Sequence, residues 1–528
     1  MKNVKGAVFW PPFLLLIAAL GLCLYDVKTF QDTVNAANGW LLANFTWLFT
    51  SSSLAMVMMM VWAYFSKLGE ITIGGKGSQP KVTRWEWFSI TLCTTVATGI
   101  LFWATAEPIF HVYSPPESLG IKPGSGEAVT FAMSTMFLHW SFTPYCIYGV
   151  AALAFALAHY NLDKPYSIGS MLSPAFGPGI EGKWGNAVDA IALLTLVLGM
   201  AASMGGGILS IAGGMTDLWG VPRSIWINAV IAAAIGVSFI LSATTGLKKG
   251  IAFLSNANTQ IFFGLAIFVV LFGPTVSMLA IGADGLGEYF GKFFQKSLFT
   301  GGSSGDKWPQ WWSVFYWCNW LAWAPVTALF LGSLGKGYTV REFVKMTVVY
   351  PSLFAILWMT IFSGTILSFD MSNPGALKLV LDAKGAEAMV YAFLDKLPVS
   401  SIVAAIFMFT VFISYVAGAD ANTEAMACLC EGKSANDETP SSTLLKVVWG
   451  ALICVVSWIM ISFAGGIDGI KILGNLGGLP ALFIVGGSLF SLYKIKIILV
   501  DHAAQTDKFE QQDGPFNTMS VGAAAQRN

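Results

Sequence analysis

The chain has 528 residues, 55% of them hydrophobic and 11% charged, and its 29 basic residues balance 29 acidic ones. A mean hydropathy of +0.67 over that length excludes a soluble domain, and zero net charge gives no nucleic-acid signal. The composition is that of an all-α polytopic membrane protein.

Apolar runs long enough to cross ~30 Å of hydrocarbon as helices lie near 9–27, 48–66, 88–110, 130–157, 187–215, 224–243, 251–280, 311–334, 346–368, 399–420, 445–464 and 472–493. Twelve transmembrane helices are therefore predicted. The first follows only Lys2 and Lys5 and lacks a small-residue cleavage site, so it reads as a retained helix and not a signal peptide. Residues 1–86 comprise the N-terminus, two helices and a linker rich in glycine at 74–80.

The third span carries Thr94, Thr95, Val96, Ala97, Thr98 and Gly99 at mid-membrane depth. Such residues permit either a local break that exposes carbonyls to an ion or substrate, or simple close packing. Near the end of this span, Glu107-Pro108 is expected to be structural. The fourth span holds Trp140, Tyr145 and Tyr148 around Pro144, which is expected to bend the helix. The fifth has Gly199 and Gly205-Gly206-Gly207, costly in a helix and read as a hinge or a backbone contact. Residues 281–310 form a polar segment in which Leu286, Tyr289, Phe290, Phe293 and Phe294 recur at helical spacing, as in an interfacial amphipathic helix.

The eighth span and its approach place six tryptophans between 308 and 325. Trp312, Tyr316, Trp320 and Trp323 share one helix face by their spacing. Trp87, Trp308 and Trp311 read as interfacial belt residues. The deeper rings suit a cage for a permanently charged ammonium, which offers no hydrogen-bond donor and is held by aromatic faces. In the tenth span Asp420 is an intramembrane acid, a functional candidate by default: it relays protons or hydrogen-bonds a helix end.

With the N-terminus counted as inside, 19 basic residues fall on its side and 10 on the other, all read as lying in loops or tails. Both termini are predicted to be cytoplasmic. Spans three to twelve form a block of ten. Divided five and five, as 87–280 and 311–496 around the 281–310 segment, the second set enters the membrane inverted, as in inverted-repeat transporters. Residues 497–528 form a short cytoplasmic tail. Four histidines without a metalloprotease or nucleophile-elbow motif argue against an enzyme, so no catalytic residue is assigned. Cys428-Leu-Cys430 is too close-set for a metal motif, and neither metal nor cofactor is expected. Pore charge rings are lacking, which argues against a channel.

These residues resemble the betaine/choline/carnitine transporter family. The resemblance rests on the eighth span with Gly335-Lys336-Gly337-Tyr338-Thr339-Val340-Arg341-Glu342-Phe343, and on Trp103, Glu107-Pro108, Phe137, His139-Trp140, Pro144, Gly246, Gly250, Leu254-Ser255-Asn256 and Ala419-Asp420. It implies secondary transport of a quaternary-ammonium or related methylated onium compound, such as glycine betaine, carnitine or choline, with alternating access in the cell inner membrane. It further implies a ten-helix inverted-repeat core preceded by two extra helices, and assembly as a homotrimer in the lipid bilayer.

Carried over by position, the family's aromatic box matches Trp140, Tyr145, Tyr148, Trp320 and Trp323; Tyr316 shares their stripe. Asn319 stands where many members have tryptophan and offers a donor and an acceptor. Coupling departs further from the family. Sodium-coupled members have Gly-x-Gly-x-Gly in span three, where this chain reads Thr95-Val96-Ala97-Thr98-Gly99, and hydroxyls in span ten, where it has Ala417-Gly418. Sodium-independent exchangers place an arginine in span seven, at the position aligned with Asn258. The coupling and gating candidates are thus Thr95, Val96, Thr98, Gly99, Asn258 and Asp420, and a sodium-independent exchanger or a proton-coupled carrier is the alternative reading.

Overall fold

A computed structural model describes residues 4–95, 97–245, 248–433 and 441–501; among these, the side chains of 93–95, 97–98, 183, 245, 248–255 and 501 are outside the description. Val96 and the side chains of Thr95 and Thr98, three of the gating candidates, therefore lie outside it. So does the tail beyond 501.

The described chain is built from α-helices, because a backbone in hydrocarbon has to satisfy its own hydrogen bonds. Two N-terminal helices, α1 (Gly6–Tyr25) and α2 (Val27–Phe65), precede α3 (Arg84–Thr95) and α4 (Ala97–Tyr113). Next come α5 (Gly126–Trp140), α6 (Phe142–Asn161), the short α7 (Ser173–Phe176), α8 (Lys183–Trp219), α9 (Ile225–Thr245) and α10 (Lys248–Phe272). After α11 (Thr275–Gly291), α12 (Phe293–Ser297) and α13 (Trp308–Trp311) the chain enters α14 (Ser313–Leu334). It ends with α15 (Val340–Val344), α16 (Tyr350–Ser372), α17 (Ala376–Lys384), α18 (Met389–Leu394), α19 (Ser400–Glu431), α20 (Thr443–Phe463) and α21 (Ile467–Lys496). Among the described residues ten helical stretches are long and apolar enough to span, and a bent pair, Asn256–Phe272 with Thr275–Gly291, makes an eleventh. The predicted third span is present as α3 and α4.

Several boundaries differ from the sequence reading for identifiable reasons. The seventh span stops at Phe272 and not near 280. Pro274 has no N–H to continue the ladder, and the chain turns by 110° into α11. The amphipathic helix expected from 281 thus starts at Thr275, and Met278, Gly285 and Tyr289 are buried in it while Phe290 and Phe294 are exposed. The fourth span breaks at Ser141, three residues before Pro144. In the first turn of α6 the proline costs little, since its missing N–H would have had no intrahelical partner. The eighth span likewise breaks at Trp312 before α14 begins. Of the three expected belt residues only Trp311 is exposed; Trp87 and Trp308 are buried. Lys471, read as a loop residue, lies inside α21, and Lys446 lies inside α20, buried and paired with Glu424.

The α14 helix is the centre of the packing and contacts α21, α6 and α8. Glycines let the backbones approach. A Cβ on Gly478 of α21 would sit 2.4 Å from Cys318 Cα, and one on Gly332 of α14 would sit 2.6 Å from the Ala152 carbonyl of α6. The α8 helix runs unbroken through its glycines, and three of them let neighbours approach its backbone. Gly199 lies against Trp323, Gly205 against Ile461 and Ile470, and Gly213 against the Glu387 carbonyl.

The 335–343 motif serves as a clamp on the linker after α2. Thr339 and Glu342 form a capping box at the start of α15, where the serine/threonine and glutamate satisfy two otherwise orphaned N–H groups. Backbone bonds of 2.9 Å join Ile73 to Tyr338 and Gly337 to Ile73, and Arg341 donates to the Tyr64 carbonyl and to Glu70, each at 3.1 Å.

Gly478→Val should therefore overpack the α14–α21 contact at a cost of about 3 kcal/mol and lower the melting temperature of the detergent-solubilised protein by several degrees. Gly264→Val, at a position open on that side, should melt close to the wild type.

Candidate functional site

Four helices, α4, α5, α6 and α14, deliver the site. Pro108 within α4 leaves the Ala104 carbonyl without its i+4 donor, and Ser363 Oγ of α16 fills the gap at 2.6 Å. That holds α4 against α16 one turn from Glu107. At the other wall α5 ends at Trp140, and the orphan carbonyl of His139 in its last turn accepts Trp320 Nε1 from α14 at 3.2 Å.

Around this junction Trp320 is enclosed by the rings of Trp140, Tyr145 and Tyr148, with centroids 5.6, 6.1 and 5.4 Å away. Tyr316 meets Trp140 at 5.3 Å. All five rings are buried. Trp320 is in contact with the other three of its group and Trp140 with Tyr316, at the spacing of edge-to-face and tilted aromatic pairs. Gly99 borders it: a Cβ there would lie 3.1 Å from the Trp140 ring, so a side chain at that gating candidate would push on the indole.

The remaining predicted residues are distributed differently. Trp323 lies with its pyrrole edge against Gly199 of α8. Asn319 borders Gly474 of α21. Trp312 turns to another group: its ring lies 4.6 Å from His111 and 5.9 Å from Trp103, and the Lys471 ammonium sits 3.8 Å above it. Asn258 exchanges hydrogen bonds with Ser414 of α19, at 2.9 and 3.3 Å. Asp420 accepts from Ser242 of α9 at 3.3 Å. These last two belong to the α9, α10 and α19 side of the protein.

The group that sequence reasoning undervalued is Glu107. Its carboxylate is fully buried and carries four hydrogen bonds. Oε1 bonds His111 Nε2 at 3.0 Å and His139 Nδ1 at 2.6 Å. Oε2 accepts from Trp140 Nε1 at 2.9 Å and from Tyr316 Oη at 2.5 Å. His139 Nε2 is in turn bonded to Ser313 Oγ at 2.9 Å. The i, i+4 spacing of Glu107 and His111, and the adjacency of His139 to Trp140, were the available signals.

The Glu107, His111 and His139 ligand-type atoms lie within 4.8 Å of one another, a spacing that a metal ion accepts. Each imidazole is, however, already bonded directly to Oε1, and Oε2 is shared by an indole and a phenol that donate without ligating. The arrangement is a hydrogen-bond network. Ser313 also lines a neighbouring cavity of about 220 Å³ together with Thr135, Leu138, Glu288, Lys296 and Trp308. Burial pushes the Lys296 ammonium there down to about 8, against the pull of Glu288 at 3.4 Å.

Residues 7–497 match the model of the betaine/carnitine/choline family transporters. Among similar proteins, the glycine betaine transporter OpuD of Bacillus subtilis is 27% identical over 518 residues, 98% of each chain. The ectoine/hydroxyectoine transporter of Virgibacillus pantothenticus is 28% identical over 84% of this chain and 86% of its own. The ectoine/glycine betaine/proline transporter EctP of Corynebacterium glutamicum is 28% identical over 97% of this chain and 85% of its own. With the match extending over nearly its whole length, the chain belongs to the betaine/carnitine/choline transporter family and is a multi-pass membrane transporter, not an enzyme.

Proposed function

We propose that the protein is a secondary active transporter of a quaternary-ammonium or related methylated onium compound such as glycine betaine, carnitine or choline. The observation that carries this reading is the enclosure of Trp320 by Trp140, Tyr145 and Tyr148. Fully methylated nitrogen has no donor to offer, and ring faces are the groups that stabilise it when water is removed. Trp320 touches each of the three rings as it stands, so a guest seated between their faces requires them to part. Parting α5 and α6 from α14 is the movement alternating access asks for. The two five-helix repeats at 87–280 and 311–496, the inner-membrane location, cytoplasmic termini and homotrimeric assembly are parts of the same proposal.

Trp320→Ala is expected to lower initial uptake into proteoliposomes at least about tenfold, since a desolvated cation–π contact contributes about 2 kcal/mol or more, with Trp320→Phe retaining part of it. Trp323→Ala is expected to act in the same direction. Unchanged uptake by both alanine variants, at equal membrane content, overturns the onium site.

Selectivity gives a second test. Trimethylated compounds should compete for uptake, whereas primary amines of equal size should not, because burying an ammonium with three unmatched donors is penalised. Effective competition by a primary amine points instead to a hydrogen-bonding site.

Transport is further expected not to require sodium. A hard cation needs oxygen ligands, and Ala417-Gly418 supply no side-chain oxygen. The nearby carbonyls of Gly418 and Ala419 already accept from Asn422 and Thr423, at 2.8 and 2.6 Å. Initial rates measured with sodium replaced by potassium should match those in sodium; a steep, saturable sodium dependence would refute this.

A further inference from the structure

We infer that Glu107 is the residue that makes the aromatic cluster selective for charge. Its carboxylate draws on the ring-borne N–H of Trp140 and O–H of Tyr316, deepens the negative faces of those rings, and supplies the buried anion that a substrate cation neutralises. The inference rests on the reading of the cluster as an onium site.

The hydrogen-bond inventory suits an ionised carboxyl group. An indole N–H only donates, so Oε2 is an acceptor toward Trp140, and an ionised carboxylate has about four acceptor positions. Four donor-capable groups from α4, α5 and α14 reach it. An ionised carboxylate can accept from all four at once, with each histidine presenting its N–H to Oε1. Ser313 Oγ lies 2.9 Å from His139 Nε2 and can donate to it or accept from it. His111 suits its neutral form, because its Nδ1 is buried without a hydrogen-bond partner. A bare lone pair there is cheaper than an unmatched N–H of an imidazolium.

No lysine or arginine among the described residues pairs with Glu107; its ion-pair partners are the two histidines. Lys296 pairs with Glu288 at 3.4 Å, and Lys471 sits over Trp312 at 3.8 Å. The carboxylate therefore places a negative charge behind the rings that meet Trp320, with no lysine or arginine among the described residues in direct contact with it. Carboxylate acceptance from an aromatic donor pushes electron density into the ring, and the anion's own field adds to it in a medium where screening is weak. Both effects favour a cation at the ring faces and leave a neutral guest of the same shape unaffected.

That asymmetry separates electrostatic from merely structural roles. The ligand pairs are choline with its neutral carbon isostere 3,3-dimethylbutan-1-ol, and glycine betaine amide with neutral 3,3-dimethylbutanamide. Binding would be measured on purified protein by tryptophan fluorescence and by competition in counterflow. The wild type should prefer each onium ligand to its isostere. Glu107→Gln should reduce that preference by about tenfold, in line with loss of a poorly screened charge, while isostere affinity stays within about twofold. Glu107→Asp should recover part of it. Tyr316→Phe, which keeps the ring and removes its donor, should give a partial loss and carries the same comparison if Glu107→Gln does not fold. A preference unchanged in the variants, or onium and isostere weakened in parallel, overturns the inference. A wild type with no preference for onium over isostere refutes the onium site itself, which is a separate and recognisable result.

Discussion

A carboxylate placed beyond the reach of water has to be solvated by the protein, and around Glu107 that requirement organises much of the site. Leaving such a charge unpaired costs far more than any single packing contact returns. The chain meets the cost with donors from three helices: His111 on its own helix, His139 and Trp140 at the end of α5, and Tyr316 on α14. Two of those donors belong to the aromatic cluster. The orientation of the Trp140 and Tyr316 rings is thus fixed by electrostatics at their edges, while their faces remain for packing or for a guest.

The helices themselves break where the site needs them to. At Ser141 and Trp312 the spans are interrupted, which frees carbonyl and N–H groups that an unbroken helix would consume. Trp320 takes one of those carbonyls, that of His139. In lipid such interruptions are tolerated only inside protein, and here Ser141 donates to Tyr289 of α11 while Trp312 packs against Trp103, Phe110 and His111 of α4. Close approach at Gly478 and Gly332 is what allows α14 to sit so deeply between its neighbours.

Polar groups further away follow the same rule with less at stake. Asn258 and Ser414 satisfy each other, and Asp420 is met by Ser242. Two elements of the expected coupling machinery are thereby engaged within the α9, α10 and α19 group. The Lys471 ammonium over Trp312 shows that an aromatic face in this protein can stabilise a cation contributed by the chain itself.

Composition and run length alone determined the class of molecule, because a chain this apolar is stable only across a bilayer. Of the aromatic stripe expected in span eight, Tyr316 and Trp320 meet Trp140, Tyr145 or Tyr148, while Trp312 and Trp323 pack elsewhere. The sequence also located most spans, but misjudged their breaks: Pro144 was read as the bend although the chain yields at Ser141, and Pro274 as the interior of a span that it ends. Whether a proline disrupts a helix depends on which turn it occupies, and that is set by neighbours. The surroundings of Glu107 were illegible for a related reason. Nothing local to Glu107-Pro108 says that His139 and Tyr316, 32 and 209 residues away, converge on its two oxygens. Local spacing determines which residues share a face of one helix; only the tertiary structure decides which faces meet, and so which buried charge is balanced by what.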